Sequence, residues 1–333
     1  WERTPYQSRS GSRKIAALEE YGGSAATEAA VERGLEYLAA RQRRDGRWGT
    51  REVDNKYGQP MLGKTGLCLL AFMGAGHTPD SRTRYSERVA KGLDFLVASQ
   101  DPETGHIGAT NAYGHAIATY ALGEAYALTG ARELRRPLVR ATARSVEAQV
   151  GSADPLEHGG WTYYFGGLHR PRRGTVDRRW PRVSVSVWQV MALESARLGG
   201  IEVQDVVFDR ARSFLVNAWD RRRGAFRYSH DPSRLGSEYS TLPGSTPAAL
   251  FALSLLGVDV AEGQFAPARS FVSSRAPDGY RFTTNDDFVF RAQGNQYFWY
   301  YGTLAMFRAG GDDWQRWNAQ MKATLLPAQE ENG

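Results

Sequence analysis

The chain repeats itself, and this limits what it can fold into more than any other feature does. Arg33-Gly34-Leu35-Glu36-Tyr37-Leu38-Ala39-Ala40-Arg41-Gln42, followed by Gly46-Arg47-Trp48-Gly49, returns as Lys91-Gly92-Leu93-Asp94-Phe95-Leu96 and Gln100, followed by Gly105-His106-Ile107-Gly108. A third copy holds Ala143, Val146, Gln149 and Gly160-Trp161. A fourth holds Arg212-Ser213-Phe214-Leu215 and Gly224-Ala225-Phe226, and a fifth Arg269-Ser270-Phe271-Val272 and Asp278-Gly279-Tyr280. The anchors Tyr37, Phe95, Val146, Phe214 and Phe271 lie 58, 51, 68 and 57 positions apart. A repeat of this length is one supersecondary unit that buries its apolar face on its neighbours, so the copies must form one array.

Between the copies lie segments of a second kind, apolar nearly all round: 62–74, 114–128, 183–198, 245–256 and 296–309. A helix apolar on every face is buried, whereas the first kind sets Val31, Leu35 and Leu38 against Glu32, Glu36 and Arg41 and is amphipathic. Each unit therefore pairs an outer helix with an inner one. Outer helices are expected near 26–43, 84–100, 134–149, 206–218, 264–275 and 312–326. Gly76, Gly130, Gly199, Gly257 and Gly310 stand where inner helices should stop. The expected fold is all-α, a single repeat domain with inner helices around a central cavity. Residues 1–25 would be an N-terminal extension, 26–328 a ring of five to six hairpins, and 329–333 a tail.

Composition removes several alternatives. With 41% hydrophobic, 23% charged and 12% aromatic residues the chain is globular rather than disordered. No run reaches the roughly 20 apolar residues of a spanning helix. One cysteine, Cys68, excludes an internal disulfide and any Cys/His zinc cluster, so no metal and no cofactor is expected. A net charge of +6 is spread over many helical arginines, with no nucleic-acid reading module, so no nucleic acid is expected. Position 1 is Trp, which reads as a chain cut from something longer, with a signal or anchor segment ahead of it.

The pattern Arg/Lys-Gly-x-x-aromatic-Leu-x-x-x-Gln, then Gly-x-Trp, resembles the QW motif of the squalene/hopene cyclase and protein prenyltransferase superfamily. The match is fullest at Arg33 to Trp48 and decays to Trp219, Arg275, Phe226 and Tyr280 in the later copies. It covers about residues 26–318. Thr65-Gly66-Leu67, Gly76-His77-Thr78, Trp188-Gln189-Val190-Met191 and Asn295-Gln296-Tyr297-Phe298-Trp299-Tyr300-Tyr301 resemble the prenyltransferase/squalene-oxidase-repeat proteins of planctomycete bacteria. The resemblance implies an α/α toroid, with Gln42, Trp48, Gln100 and Trp161 as repeat framework. It also implies an N-terminal membrane anchor, hence an extracytoplasmic or anchored location with membrane contact only through a segment outside this chain.

The chemistries that the resemblance brings lack their signatures here. Triterpene cyclisation uses an Asp-x-Asp-Asp acid. The nearest sequences are Asn285-Asp286-Asp287, in the turn before an inner helix, and Asp312-Asp313, which begins the last amphipathic helix, where acids favour the dipole. Protein prenylation uses zinc held by an Asp, a Cys two residues on and a distant His. Cys68 has Gly66 two residues before it and sits in an apolar run. The thioester Cys-Gly-Glu-Gln is absent too. Asp286, Asp287 and His115 remain as candidates for a divergent catalytic role, His115 having a capping or core role as its alternative.

What stands out instead is aromatic and amide-rich. Tyr113, His115, Trp188, Gln189, Asn295, Gln296, Tyr297, Trp299 and Tyr300 would line a ligand cavity, or the rings would simply fill the centre. The aromatic run Tyr163-Tyr164-Phe165 follows Trp161. The loop 169–182 breaks the repeat with six arginines and one acid, making Arg170, Arg172, Arg173, Arg178 and Arg179 candidates for an anionic partner. Two functions follow. One is a non-catalytic domain binding an apolar or amphipathic ligand (isoprenoid, other lipid or peptide) or a protein partner. The other is a divergent terpenoid cyclase or prenyltransferase.

Overall fold

A computed structural model describes residues 5–49, 61–108, 111–165, 180–232, 236–281 and 286–333. The fold is all-α, with 12 α-helices among the described residues. The first, α1 (Gly11–Tyr21), is short. The amphipathic helices are α2 (Ala25–Arg41), α4 (Ser86–Ala98), α6 (Arg132–Glu147), α8 (Asp205–Asn217), α10 (Ala266–Ser273) and α12 (Gly311–Leu325). The apolar ones are α3 (Met61–Gly74), α5 (Ala112–Thr129), α7 (Val183–Leu198), α9 (Ser245–Leu255) and α11 (Gln296–Ala309). The two-residue strands β1 (Trp219–Asp220) and β2 (Ala225–Phe226) form one antiparallel hairpin.

Successive apolar helices pack on one another, α3 on α5, α5 on α7, α7 on α9 and α9 on α11, while each amphipathic helix covers its neighbours from outside. The inner helices run in the same sense and nearly in register. A Cβ at Gly63 would meet Gly114, one at Gly66 would lie 2.9 Å from Ile117, and one at Gly123 would lie 2.9 Å from Ser195. These glycines let the backbones approach closely. Gly130 and Gly310 end α5 and α11 in left-handed φ, at 66° and 67°. At α7 the left-handed residue is Gly200 (φ 83°), one place beyond the expected Gly199.

The repeat motif has one geometry, built three times. The Gln42 amide donates to Gly46 O at 2.9 Å and to Arg88 O at 2.8 Å; Gln100 donates to Gly105 O at 3.0 Å and Pro137 O at 2.9 Å; Gln149 donates to Gly159 O at 3.0 Å and Val207 O at 2.9 Å. Each glutamine thus ties its own turn to the next outer helix. The glycine of that turn has no room for a side chain: a Cβ on Gly46, Gly105 or Gly159 would sit 2.0, 2.6 or 2.2 Å from a carbonyl of the next outer helix. The indoles of Trp48 and Trp161 are buried, and each donates at 2.7 Å to a carbonyl near the end of the preceding outer helix, Leu38 O and Ser145 O.

The two ends of the array meet. Trp314 Nε1 on α12 donates to Tyr21 O at 3.1 Å, Asn318 donates to Tyr21 O and Gly22 O, and Lys322 donates to Gly22 O at 2.8 Å. Gln329, in the segment after α12, bonds Ala30 O at 2.8 Å and Arg33 at 2.6 Å. Residues before α2 also pack inward, since Tyr6 is buried with its hydroxyl 3.1 Å from Ser195 Oγ.

Candidate functional site

His115 belongs to the framework rather than to a catalytic site. It is fully buried, its Nδ1 accepts the Ile107 N–H at 3.0 Å, and its Nε2 donates to Ala141 O at 3.1 Å. Thr65 accepts the N–H of Trp48 in the same way, Ser186 that of Trp161, and Thr246 that of Phe226. His115 is thus the second of four copies of a structural acceptor. Burial, and then His106 stacked 4.6 Å away, hold the imidazole well below its usual pKa, so it is neutral. Gln189 is engaged at both ends of its amide. Its Oε1 accepts from Ser145 Oγ at 2.8 Å and its Nε2 donates to Ala112 O at 3.1 Å.

The aromatic rings expected to wall a central cavity fill it instead. Trp188 stacks on Tyr300 at 5.6 Å, meets Tyr301 edge-on at 5.6 Å and touches Tyr120 at 6.5 Å. Trp299 is buried on another face of α11 beside Tyr280, its indole N–H without a partner among the described residues. Gln296 is exposed and reaches only the Tyr280 hydroxyl at 3.5 Å. Asn295 is an N-cap: Oδ1 accepts from Phe298 N at 3.0 Å, while Nδ2 donates to Phe288 O and Arg291 O. Trp188, Gln189, Gln296, Trp299 and Tyr300 therefore do not line the cavity at the N-terminal ends of the inner helices, and the Asn295 amide is already satisfied.

That cavity, of about 250 Å³, lies at the N-terminal mouth of the inner helices. Four tyrosines converge on it. Tyr113 comes from the first turn of α5 and Tyr297 from the first turn of α11. Tyr163 and Tyr228 each stand two residues after the buried aromatic of a repeat turn, Trp161 and Phe226. The Tyr163 and Tyr228 hydroxyls are hydrogen-bonded, and the Tyr113 and Tyr163 rings lie 5.6 Å apart. Ser184 and Ser245 add hydroxyls, and Leu242, Phe288 and Val289 add apolar wall. Arg182, buried and paired with Asp231 at 3.2 Å, places its guanidinium 5.7 Å from the Tyr228 ring from behind.

Burial raises the phenols of Tyr113, Tyr228 and Tyr297 well above their usual value, and the neighbouring tyrosines add to it. They stay neutral and serve as hydrogen-bonding groups, not as bases. The Tyr297 hydroxyl is itself buried, with no hydrogen-bond partner of good geometry among the described residues and the Tyr301 ring 4.7 Å from its own. No ionised acid, base or thiol stands among the described lining residues. The exposed sequence signal was Tyr113, Asn295 and Tyr297. Tyr228 and Ser184 were not legible, because neither stands in a dense aromatic run.

Asp286 and Asp287 open the 3-10 turn Asp286–Phe290 ahead of α11. Arg170, Arg172, Arg173, Arg178 and Arg179 lie outside the described residues. Burial pushes the Cys68 thiol up to about 12, far from a thiolate at neutral pH. Among the described residues no three His, Cys, Asp or Glu side chains are grouped to hold a metal ion, and no helix is long and apolar enough to cross a membrane. No protein-family model matches the chain, and a search of curated proteins returned no match.

Proposed function

We propose that this chain is an α/α toroid of the squalene/hopene cyclase and protein prenyltransferase type that binds a ligand without transforming it. The ring is supported by parallel inner helices, by the glutamine-glycine-tryptophan turns and by the junction of α12 with the α1–α2 turn. The binding reading rests on one observation: four tyrosines, with Ser184 and Ser245 beside them, enclose an apolar mouth. Such a site takes an apolar body with one neutral polar end, such as an isoprenoid alcohol. Its volume of about 250 Å³ is below the roughly 300–1,000 Å³ of pockets that enclose drug-sized ligands, so it admits a small molecule or a chain end. A squalene-sized polyene would not fit whole.

Native mass spectrometry of purified protein, with organic extraction of the same sample, tests this reading. A small apolar or amphipathic molecule should co-purify and be lost in Leu242→Trp, which fills the cavity from a half-buried wall position. Turnover of an added isoprenoid diphosphate or of squalene would instead support the enzyme reading.

A further inference from the structure

Away from the tyrosine mouth, α5 carries a buried acid that the repeat does not need. Of all residues in the five inner helices, only Glu124 and Glu194 are acidic. Glu194 pairs with Arg197 of its own helix at 2.6 Å. The Glu124 side chain is 1% exposed, and its cation comes from outside the repeat altogether: both guanidinium nitrogens of Arg9 bond its two carboxylate oxygens, the longer contact at 3.3 Å. Eleven residues separate it from Tyr113, about 16 Å of helix rise, so the two sites are distinct.

The surroundings are those of a cation receptor. The Arg9 guanidinium lies 4.6 Å from the centre of the Tyr6 ring, Tyr120 hydrogen-bonds the carboxylate, and Tyr300 is within electrostatic reach of both charges. Burial raises the Glu124 carboxyl and the Arg9 charge pulls it back, so the acid depends on a partner cation to stay ionised. Helix α1, which follows Arg9, buries none of its residues; the segment is held by Tyr6 to Ser195, by Lys14 to Glu28 and Ala75 O, and at its end by Trp314 and Asn318 to Tyr21 O.

We infer that Glu124, with Tyr120 and Tyr300, forms a binding site for the guanidinium group of a basic peptide, filled in this structure by the chain's own Arg9. Carboxylate and guanidinium match as two parallel forks, which a lysine ammonium cannot reproduce. An external peptide competes with a tethered copy of its own chemistry, present at millimolar effective concentration for a short flexible tether. The native chain is therefore guarded against weak binders.

The test uses a synthetic peptide of residues 5–12, Pro-Tyr-Gln-Ser-Arg-Ser-Gly-Ser, and the same peptide with citrulline for arginine, which keeps the shape and removes the charge. On the full chain carrying Arg9→Ala, the arginine peptide should bind at least 10-fold more tightly than the citrulline peptide, and Glu124→Gln in the same background should abolish that difference. Equal binding of the two peptides, or none by either, overturns the proposal. Should Arg9→Ala fail to fold, the unaltered chain decides. Excess arginine peptide should speed amide exchange across residues 5–21 and the citrulline peptide should not; no difference between them overturns the proposal equally. The tyrosine mouth plays no part in either readout, so the outcome is independent of the proposed function.

Discussion

His115 Nδ1 accepts the backbone N–H of Ile107 at 3.0 Å, the bond that Thr65, Ser186 and Thr246 make to the corresponding residue of their own repeats. A residue whose type looks catalytic is here one version of a repeated structural contact. His115→Ala leaves the Ile107 N–H unpaired in the core, at about 1–3 kcal/mol, and empties the space of a buried ring, which adds a cavity cost of similar size. Urea unfolding should show a loss of roughly 2–5 kcal/mol, and a loss under about 1 kcal/mol would contradict the framework role.

The glycines of the repeat turns give a prediction with a built-in control. Gly159 has φ 90° and a Cβ there would lie 2.2 Å from Arg210 O, whereas Gly74, at the end of α3, has open space around it. Gly159→Ala therefore combines left-handed strain of about 1–2 kcal/mol with a backbone clash, and should lower stability by more than about 2 kcal/mol. Gly74→Ala should be neutral or stabilise by up to about 1 kcal/mol. Thermal melts of the pair check both signs.

Trp48 and Trp161 should behave alike because they are packed alike. Each is buried, donates its indole N–H to a carbonyl and receives a Ser or Thr hydroxyl at its backbone N–H. Replacement of either by Ala should cost about 3–5 kcal/mol. A melting temperature unmoved by Trp48→Ala would show that the turn does not hold neighbouring hairpins together.

Stability should fall on mild acidification. Burial, and then the nearby charge of Arg144 or Arg227, hold His106 and His230 down to about 4 from the ordinary 6.5. Between those two values the unfolded chain binds protons that the folded chain refuses, so this contribution is intact above pH 6.5 and lost as the pH drops to 4. Each histidine is linked to about 3 kcal/mol over that span. Neither ring nitrogen of His106 has a partner among the described residues. His106→Phe should therefore leave stability at pH 7 intact and flatten its decline between pH 7 and pH 4, as read from denaturation midpoints.

Elements were far more legible than the site. The α7 bounds, 183–198, and those of α11, 296–309, agree with the alternation of apolar and amphipathic segments, because helix type here follows burial and burial follows the repeat. The roles of Gln42 and Gln100 were legible for the same reason: one residue at one spacing repeats one contact. Side-chain direction was not. Gln189 and Asn295 looked available as amides, yet Asn295 is bonded to backbone groups and Gln189 to Ala112 O and the Ser145 hydroxyl, partners that no spacing rule identifies. Tyr228 reaches the mouth only because the hairpin at Phe226 turns it there, and Glu124 gains its meaning from Arg9, 115 positions away. Such contacts are set by tertiary packing, which local pattern does not encode.

The central claim is that the tyrosine mouth binds an apolar ligand among its phenols, and titration calorimetry with a short isoprenoid alcohol such as geraniol tests it most directly. One neutral hydrogen bond contributes about 0.5–1.5 kcal/mol. Geraniol should bind the unaltered chain saturably, Tyr297→Phe should weaken it roughly 3–10-fold, Leu242→Trp should abolish it, and Tyr280→Phe, outside the mouth, should leave it unchanged. Absence of heat with the unaltered chain, or equal affinity for all four proteins, would contradict the account.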